Sequence, residues 1–162
     1  MRHLLSVDDL TDQDVEAILD RARVHLDGDE PGTPSSGGVL GLLFFASSLR
    51  TRLGFSVAAH RLGMGVVEVS EARWGSGMGA SESVHDTLRT VTGMTDGVVI
   101  RSDFRLERAE VEHAAVAPVI NGGDREGEHP TQALVDLLSI EEFIHSSNFS
   151  LRDFSDLSCI RQ

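Results

Sequence analysis

The segment Ser48 to Arg52 combines hydroxyl and guanidinium groups directly after an apolar run, Val39 to Phe45. Apolar residues at helical spacing follow it, which predicts a buried strand, a turn and then a helix. The first N–H groups of a helix have no intrahelical partner, and the helix dipole there favours negative charge. Hydroxyl donors and arginines at such a helix start suit a phosphate or a carboxylate. The segment therefore predicts an anion-binding site.

Three further clusters of polar residues or glycines follow apolar stretches. They are Glu71 to Ala80, Arg101, and Asn121 to Gln132. Because ligands of parallel α/β sheets bind at the carboxyl ends of the strands, these clusters are expected to converge on the anion site. The glycine-rich cluster from Glu71 to Ala80 is interpreted as a mobile surface loop.

The order of predicted elements defines the fold class. Apolar runs predict strands at residues 39–45, 66–69, 97–101 and 118–120. Helical spacing predicts helices from residue 11 or 12 to about 26, from about 50 to 63, 81–94, 106–115, and from 129 to about 145. Strands that alternate with helices are typical of an α/β fold. We expect a three-layer αβα sandwich with a mainly parallel four-stranded sheet.

Charge, cysteine content and residue spacing limit the partners and the compartment that the sequence predicts. The 162 residues carry a net charge of -12, which argues against nucleic acid because phosphate neutralisation needs a basic face. The single cysteine, Cys159, fits a reducing, cytoplasmic compartment. Neither a signal-peptide pattern nor an apolar run near the ~20 residues of a membrane span is evident. The histidines lack ligand-like spacing, so no metal is expected.

Two motifs resemble those of a known family. Ser48-Leu49-Arg50-Thr51-Arg52, after Phe44-Phe45, resembles the carbamoyl-phosphate signature of aspartate and ornithine carbamoyltransferases, typically Ser-Thr-Arg-Thr-Arg. His129-Pro130-Thr131-Gln132-Ala133-Leu134 resembles the second signature of that family. The opening, Arg2 to Ser6, is similar to the lead-in of the aspartate branch. The likeness extends from about residue 2 to residue 145.

The resemblance implies a role for each matching position. Ser48, Arg50 and Thr51 would hold the phosphate of carbamoyl phosphate. Arg101, His129 and Gln132 would surround the carbamoyl carbonyl and amide, with Thr51 nearby, so that Arg101, His129 and Thr51 are the catalytic candidates. Arg52 would be a structural ion-pair partner. The family likeness also implies a carbamoyl-phosphate-binding domain at residues 1–148 and the start of a linker or second domain at 149–162.

The implied reaction transfers a carbamoyl group to an amine, such as that of aspartate. The amine attacks the carbonyl carbon, negative charge grows on the carbonyl oxygen, and phosphate leaves. Arginine and histidine are suited to stabilise that oxygen, and the reaction requires no cofactor. The family likeness further implies a role in amino acid metabolism and pyrimidine biosynthesis, and assembly as a homotrimer.

Departures from the family pattern leave an alternative open. Leu49 stands where the signature has Thr, and Gly79-Ala80-Ser81 lacks the loop lysine of the aspartate branch. The sequence stops at Gln162, where relatives would begin a second domain. The alternative is a catalytically silent homologue that serves as an oligomerisation or phosphate-binding module. A generic phosphate-binding α/β module is a third possibility.

Overall fold

The computed structural model describes residues 3–28, 37–70 and 83–147 of the chain. The loop expected at 71–80, the segment from 149 to 162 and the domain boundary expected at residue 148 lie outside the described residues. Helices and strands alternate along the described parts of the chain. The helices are α1 (Asp12–Asp27), α2 (Leu49–Arg61), α3 (Val84–Met94), α4 (Arg108–Ala114) and α5 (Pro130–Ser147), and the strands are β1 (Val39–Phe44), β2 (Gly65–Ser70), β3 (Gly97–Arg101) and β4 (Val119–Asn121).

The strands form one parallel sheet in the order β2, β1, β3, β4, which confirms the predicted four-stranded parallel sheet. The chain moves from β1 outward to β2 and then crosses back to β3 on the other side of β1. Such a reversal of strand order opens a crevice beyond the carboxyl ends of the two central strands. The lead-in to α1 extends the opposite edge, where Leu4 forms an isolated parallel bridge to Ile120.

Helices cover both faces of the sheet, as the predicted αβα sandwich requires. Leu43, Val98 and Ile100 face one core, together with Leu88 of α3 and Val111 of α4. Alternate residues of the same strands face the other core, which Phe55 of α2 completes; they include Leu42, Phe44 and Val99. Strands covered on both sides need apolar residues at every position, which explains the continuous apolar runs in the sequence.

Local capping sets the start of α1 and of α3. Thr11 and Asp14 form a reciprocal capping box at the start of α1, with the Thr11 Oγ1 accepting from the Asp14 N–H at 3.2 Å. Ser83 caps α3 by accepting from the Asp86 N–H at 3.1 Å, so this helix starts at Val84 rather than at the predicted residue 81.

Two helices differ from the predicted bounds. Helix α4 starts at Arg108 rather than near Leu106, because Glu107 has extended backbone and is the N-cap residue. The Leu106 N–H lies outside the helix and donates to the Asp124 carboxylate at 2.9 Å. Helix α5 runs to Ser147, beyond the polar break expected from residue 146. Within the described ranges, no helix combines the length and apolarity needed to cross a membrane.

Candidate functional site

The start of α2 and the end of β3 lie side by side at the crevice. Phe44, the last residue of β1, is in register with Arg101, the last residue of β3. The Phe45 N–H donates to the Arg101 carbonyl at 2.8 Å, which extends this pairing past the strand ends. The chain then turns into α2 at Ser48. The fold therefore brings the first signature next to Arg101, although 49 positions separate Arg101 from Arg52 in the sequence.

The start of α2 is open. Ser48 is the N-cap residue and has extended backbone, yet its hydroxyl makes no capping hydrogen bond. The Leu49 side chain is 80% exposed, and Arg50 is also exposed. The N–H groups of the first turn thus receive no side-chain cap from Ser48 and can bind an external acceptor.

Arg52 differs from Arg50 because it is engaged within the fold. Its guanidinium forms an ion pair with Glu68 of β2 at 3.0 Å and lies 5.5 Å from the centre of the Phe44 ring. This is the structural role that the sequence resemblance implied. Arg50, by contrast, lines a groove between α1, α2 and α5, and the described residues provide no ion-pair partner for it.

Arg101 lies against a tight glycine turn. Its NH1 donates to the Gly122 carbonyl at 2.8 Å, and its buried Nε has no hydrogen-bond partner among the described residues. Gly123 has φ of 107°, and a Cβ at this position would lie 2.1 Å from Arg101 NH1 and 2.8 Å from His129 Cδ2. The backbone conformation at 123 therefore favours glycine, and any side chain there would have to displace the Arg101 guanidinium and the His129 ring.

His129, just before α5, completes the cluster. Its Nε2 lies 3.3 Å from the Thr51 Oγ1, while its Nδ1 faces the Thr131 hydroxyl at 3.2 Å and the Gln132 main-chain N–H at 3.3 Å. A main-chain N–H can only donate, so Nδ1 is assigned as the acceptor and the neutral ring carries its proton on Nε2. Nε2–H then points toward Thr51 as a donor.

Burial lowers the pKa of His129, and the neighbouring positive charge of Arg101 lowers it further, against an opposing effect of Asp136. The ring is consequently neutral at pH 7. No described carboxylate neutralises Arg101. The arginine and the neutral imidazole therefore form a pair of donors that suits an oxygen with partial negative charge.

The predicted site residues fall into two groups. Thr51, Arg101 and His129 are brought together around Gly122 and Gly123. The Gln132 side chain instead donates to Asp136 at 2.8 Å on the exposed side of α5. Within the described chain, no hydrogen bond joins the side chains of Ser48, Arg50 or Gln132 to the three clustered side chains.

The segment from Asn121 to Gln132 was expected to converge on the anion site, but no individual role was predicted for Asn121, Gly122 or Gly123. These residues form the surface on which Arg101 and His129 pack. An Asn-Gly-Gly sequence directly after a predicted strand is the signal that could have identified them, because consecutive glycines permit close approach of other groups to the backbone.

The fold and the cluster together define an α/β domain whose Arg101 and His129 donors lie at the strand-order reversal. Comparison with known proteins gives the family. Residues 2–142 match the family described as aspartate/ornithine carbamoyltransferase, carbamoyl-P binding domain. The chain therefore belongs to the aspartate/ornithine carbamoyltransferase family, as the motifs predicted.

Individual relatives agree with this assignment. The aspartate carbamoyltransferase catalytic subunit of Archaeoglobus fulgidus is 40% identical over 146 residues, which cover 88% of this chain and 48% of that protein. The structure of the catalytic subunit of M. jannaschii aspartate transcarbamoylase matches with a TM-score of 0.77 and 35% identity over 90% of this chain and 48% of that one. Ornithine carbamoyltransferase from Gloeobacter violaceus matches with a TM-score of 0.72 and 36% identity, over 88% and 45% of the two chains. The chain thus spans about half the length of the relatives it matches.

Proposed function

We propose that this chain binds carbamoyl phosphate as one part of a carbamoyltransferase that transfers the carbamoyl group to the amino group of aspartate. The observation that carries the proposal is the packing of Arg101 and His129 on the Gly122–Gly123 turn. This packing supplies two fixed donors at the crevice, and one of them carries a positive charge that no described carboxylate neutralises.

The donor pair suits the carbonyl oxygen of carbamoyl phosphate. The acceptor amine forms a C–N bond to the carbonyl carbon and loses a proton, while the C–O bond to phosphate breaks and phosphate leaves with the electron pair. Negative charge rises on the carbonyl oxygen on the way, and a fixed donor at such an oxygen contributes about 3 kcal/mol. Arg101 and the Nε2–H of His129 would supply these donors, the Nε2–H exchanging the Thr51 hydroxyl for the carbonyl oxygen. Thr51 would lie beside them and Gln132 on the amide.

The open start of α2 suits the phosphate. Ser48, Arg50 and Thr51 would hold it, together with the first N–H groups of the helix. Arg50 supports this role because the described residues leave its charge without an ion pair, whereas Arg52 is paired with Glu68.

Aspartate is the proposed acceptor because the Archaeoglobus relative is an aspartate carbamoyltransferase catalytic subunit. This acceptor would place the reaction in pyrimidine biosynthesis. We further propose a cytoplasmic homotrimer, on the family likeness and the single cysteine, and a carbamoyl-phosphate-binding unit that comprises residues 1–148.

Calorimetric titration of the 162-residue chain with carbamoyl phosphate tests the binding step. We expect Arg50→Ala to weaken binding by about 10- to 100-fold, since a hydrogen bond to a charged group contributes about 1.5–3 kcal/mol. Arg61→Ala is the matched control. Arg61 is an exposed arginine at the other end of α2, and its replacement removes the same charge. Binding weakened equally by both changes, or no binding by the wild-type chain at millimolar ligand, would contradict the proposal.

The transfer step is tested on the complete gene product with isotopically labelled carbamoyl phosphate and a panel of amines that includes aspartate and ornithine. Label in carbamoyl aspartate is the expected result. The exposed Leu49 favours the second candidate, a silent homologue that binds phosphate or assembles without catalysis, since a hydroxyl of the signature is missing there. Carbamoyl phosphate binding without label transfer to any amine would support that candidate.

A further inference from the structure

Asn121, the last residue of β4, connects three separate stretches of main chain. Its side chain is 1% exposed. Its Nδ2 donates to the Leu5 carbonyl at 3.0 Å and to the Glu128 carbonyl at 3.1 Å. Its Oδ1 accepts from the Gly123 N–H at 2.9 Å. One buried amide therefore joins the lead-in to α1, the glycine turn and the residue before His129.

The bonding pattern requires a carboxamide. The two carbonyl partners need two donors, and the Gly123 N–H needs an acceptor, which together fix the orientation of the amide. A carboxylate of the same shape would direct an oxygen at the two carbonyls. An apolar residue would remove the side-chain partner of the Leu5 carbonyl and of the Gly123 N–H, and would leave the Glu128 carbonyl with the Asp124 N–H at 3.2 Å.

The segments that Asn121 joins are those that carry the donor pair. Arg101 bonds to the Gly122 carbonyl, and the Arg101 guanidinium and the His129 ring both contact the space beside Gly123. The Glu128 carboxylate also accepts from the Ser6 hydroxyl at 2.8 Å and from the Val7 N–H at 2.9 Å. The lead-in thus also holds the residue that precedes His129.

We propose that Asn121 is a positioning residue that sets the places of Arg101 and His129 through the Gly122–Gly123 turn and ties that turn to residues 4–7. Asn121 touches no ligand and acts through the two side chains that do. The inference rests on the proposed function for the identity of the ligand, but the placement of His129 can be measured without ligand.

The experiment compares Asn121→Asp and Asn121→Ser in the whole chain, so that the serine variant carries the test if the aspartate variant does not fold. NMR titration reports the pKa of the His129 ring, and calorimetry compares carbamoyl phosphate with inorganic phosphate. A loosened turn exposes the ring and moves Arg101 away, so the pKa of His129 should rise toward its ordinary value of about 6.5. Carbamoyl phosphate affinity should fall about tenfold or more, and inorganic phosphate affinity should change by less than about twofold, because misplaced donors affect the carbonyl side alone.

Thr92→Val is the control for general loss of stability. Thr92 is likewise buried and bonds two main-chain groups, the Leu88 carbonyl and the Val116 N–H, at the far end of α3. It should lower stability without moving the His129 pKa or the ratio of the two affinities. Asn121 variants that behave as Thr92→Val does would overturn the proposal. If the wild-type chain binds neither ligand, the proposed function fails, and the His129 titration decides the positioning role by itself.

Discussion

The two sides of the crevice are built differently. On the turn side, formed by Gly122 and Gly123 with Arg101 and His129, the donors are packed against glycines. Arg101 donates to the Gly122 carbonyl, and His129 contacts the Thr51 and Thr131 hydroxyls. On the helix-start side, formed by Ser48, Leu49 and Arg50, the N-cap hydroxyl makes no capping bond and two of the three side chains are exposed.

This difference separates two ways of binding an anion. Fixed donors at developing charge lower a reaction barrier without reorganisation, whereas an exposed helix start binds charge through its dipole and free N–H groups. Changes to the glycines on the turn side should therefore affect both folding and binding. Changes on the helix-start side should affect binding and leave folding nearly unchanged.

The largest expected effect is that of Gly123→Ala on the turn side. The new Cβ would overlap Arg101 NH1 and His129 Cδ2, at a φ of 107° that alanine rarely adopts. We expect the free energy of unfolding to fall by about 3 kcal/mol, which combines backbone strain with steric overlap. Urea denaturation measures this loss.

Gly54→Ala is the matched control for that change. Gly54 lies in α2 on the helix-start side, and a Cβ there meets nothing within 4 Å. Alanine in a helix is favoured over glycine by about 1 kcal/mol, so this variant should be more stable than the wild type. A Gly123→Ala variant as stable as the wild type would contradict the expected strain and overlap at this turn.

Arg101→Gln, the next largest effect, should separate binding from stability. It removes a guanidinium group whose Nε is buried without a hydrogen-bond partner among the described residues. The free energy of unfolding should therefore change by no more than about 1 kcal/mol. Affinity for carbamoyl phosphate should fall by about 100-fold, because a charged donor is lost. Calorimetry measures the affinity, and urea denaturation measures the free energy of unfolding. Equal losses of affinity and stability would contradict a role for Arg101 in binding rather than in folding.

The same variant changes the response to acid. The pKa of His129 is lowered in the folded chain, so the unfolded chain binds more protons, and stability is lost as the pH falls from about 6.5 toward the folded-state pKa. Arg101→Gln removes the second cause of that lowering. The pKa of His129 should rise, and the part of the acid-induced loss of stability that comes from His129 should shrink. An unchanged His129 titration would show that Arg101 does not act on the ring.

More of the helices and strands than of the contacts between them could be predicted from the sequence. The strands were predicted because sheet residues covered on both faces form continuous apolar runs, and α1 because apolar residues recur at helical spacing after Thr11 and Asp12. The Asn121 contact to Leu5 joins positions 116 apart and leaves no local pattern. The bond from the Leu106 N–H to Asp124, 18 positions away, likewise leaves no local pattern.

Arg52 and Arg50, both near the start of α2, should differ in their effect on stability. Arg52→Ala removes the Glu68 ion pair and the contact over Phe44, and we expect a loss of about 1 kcal/mol in the free energy of unfolding. The value is small because the two side chains are 37% and 36% exposed, and water screens their attraction. Arg50→Ala should leave stability unchanged. Equal losses in urea denaturation would mean that Arg50 has a structural role that the described contacts do not explain.

The smallest expected effect is that of Leu49→Thr, which restores the hydroxyl that the signature has at this position. The Leu49 side chain is 80% exposed at the start of α2, so its replacement removes almost no buried contact and should leave stability unchanged. A neutral hydrogen bond contributes about 0.5–1.5 kcal/mol, so calorimetry should register about a threefold gain in carbamoyl phosphate affinity. Leu49→Ala removes more bulk than the threonine variant does and adds no hydroxyl. A gain in Thr but not in Ala assigns the effect to the hydroxyl, whereas equal gains would mean that Leu49 obstructs the helix start and that the main-chain N–H groups already complete it.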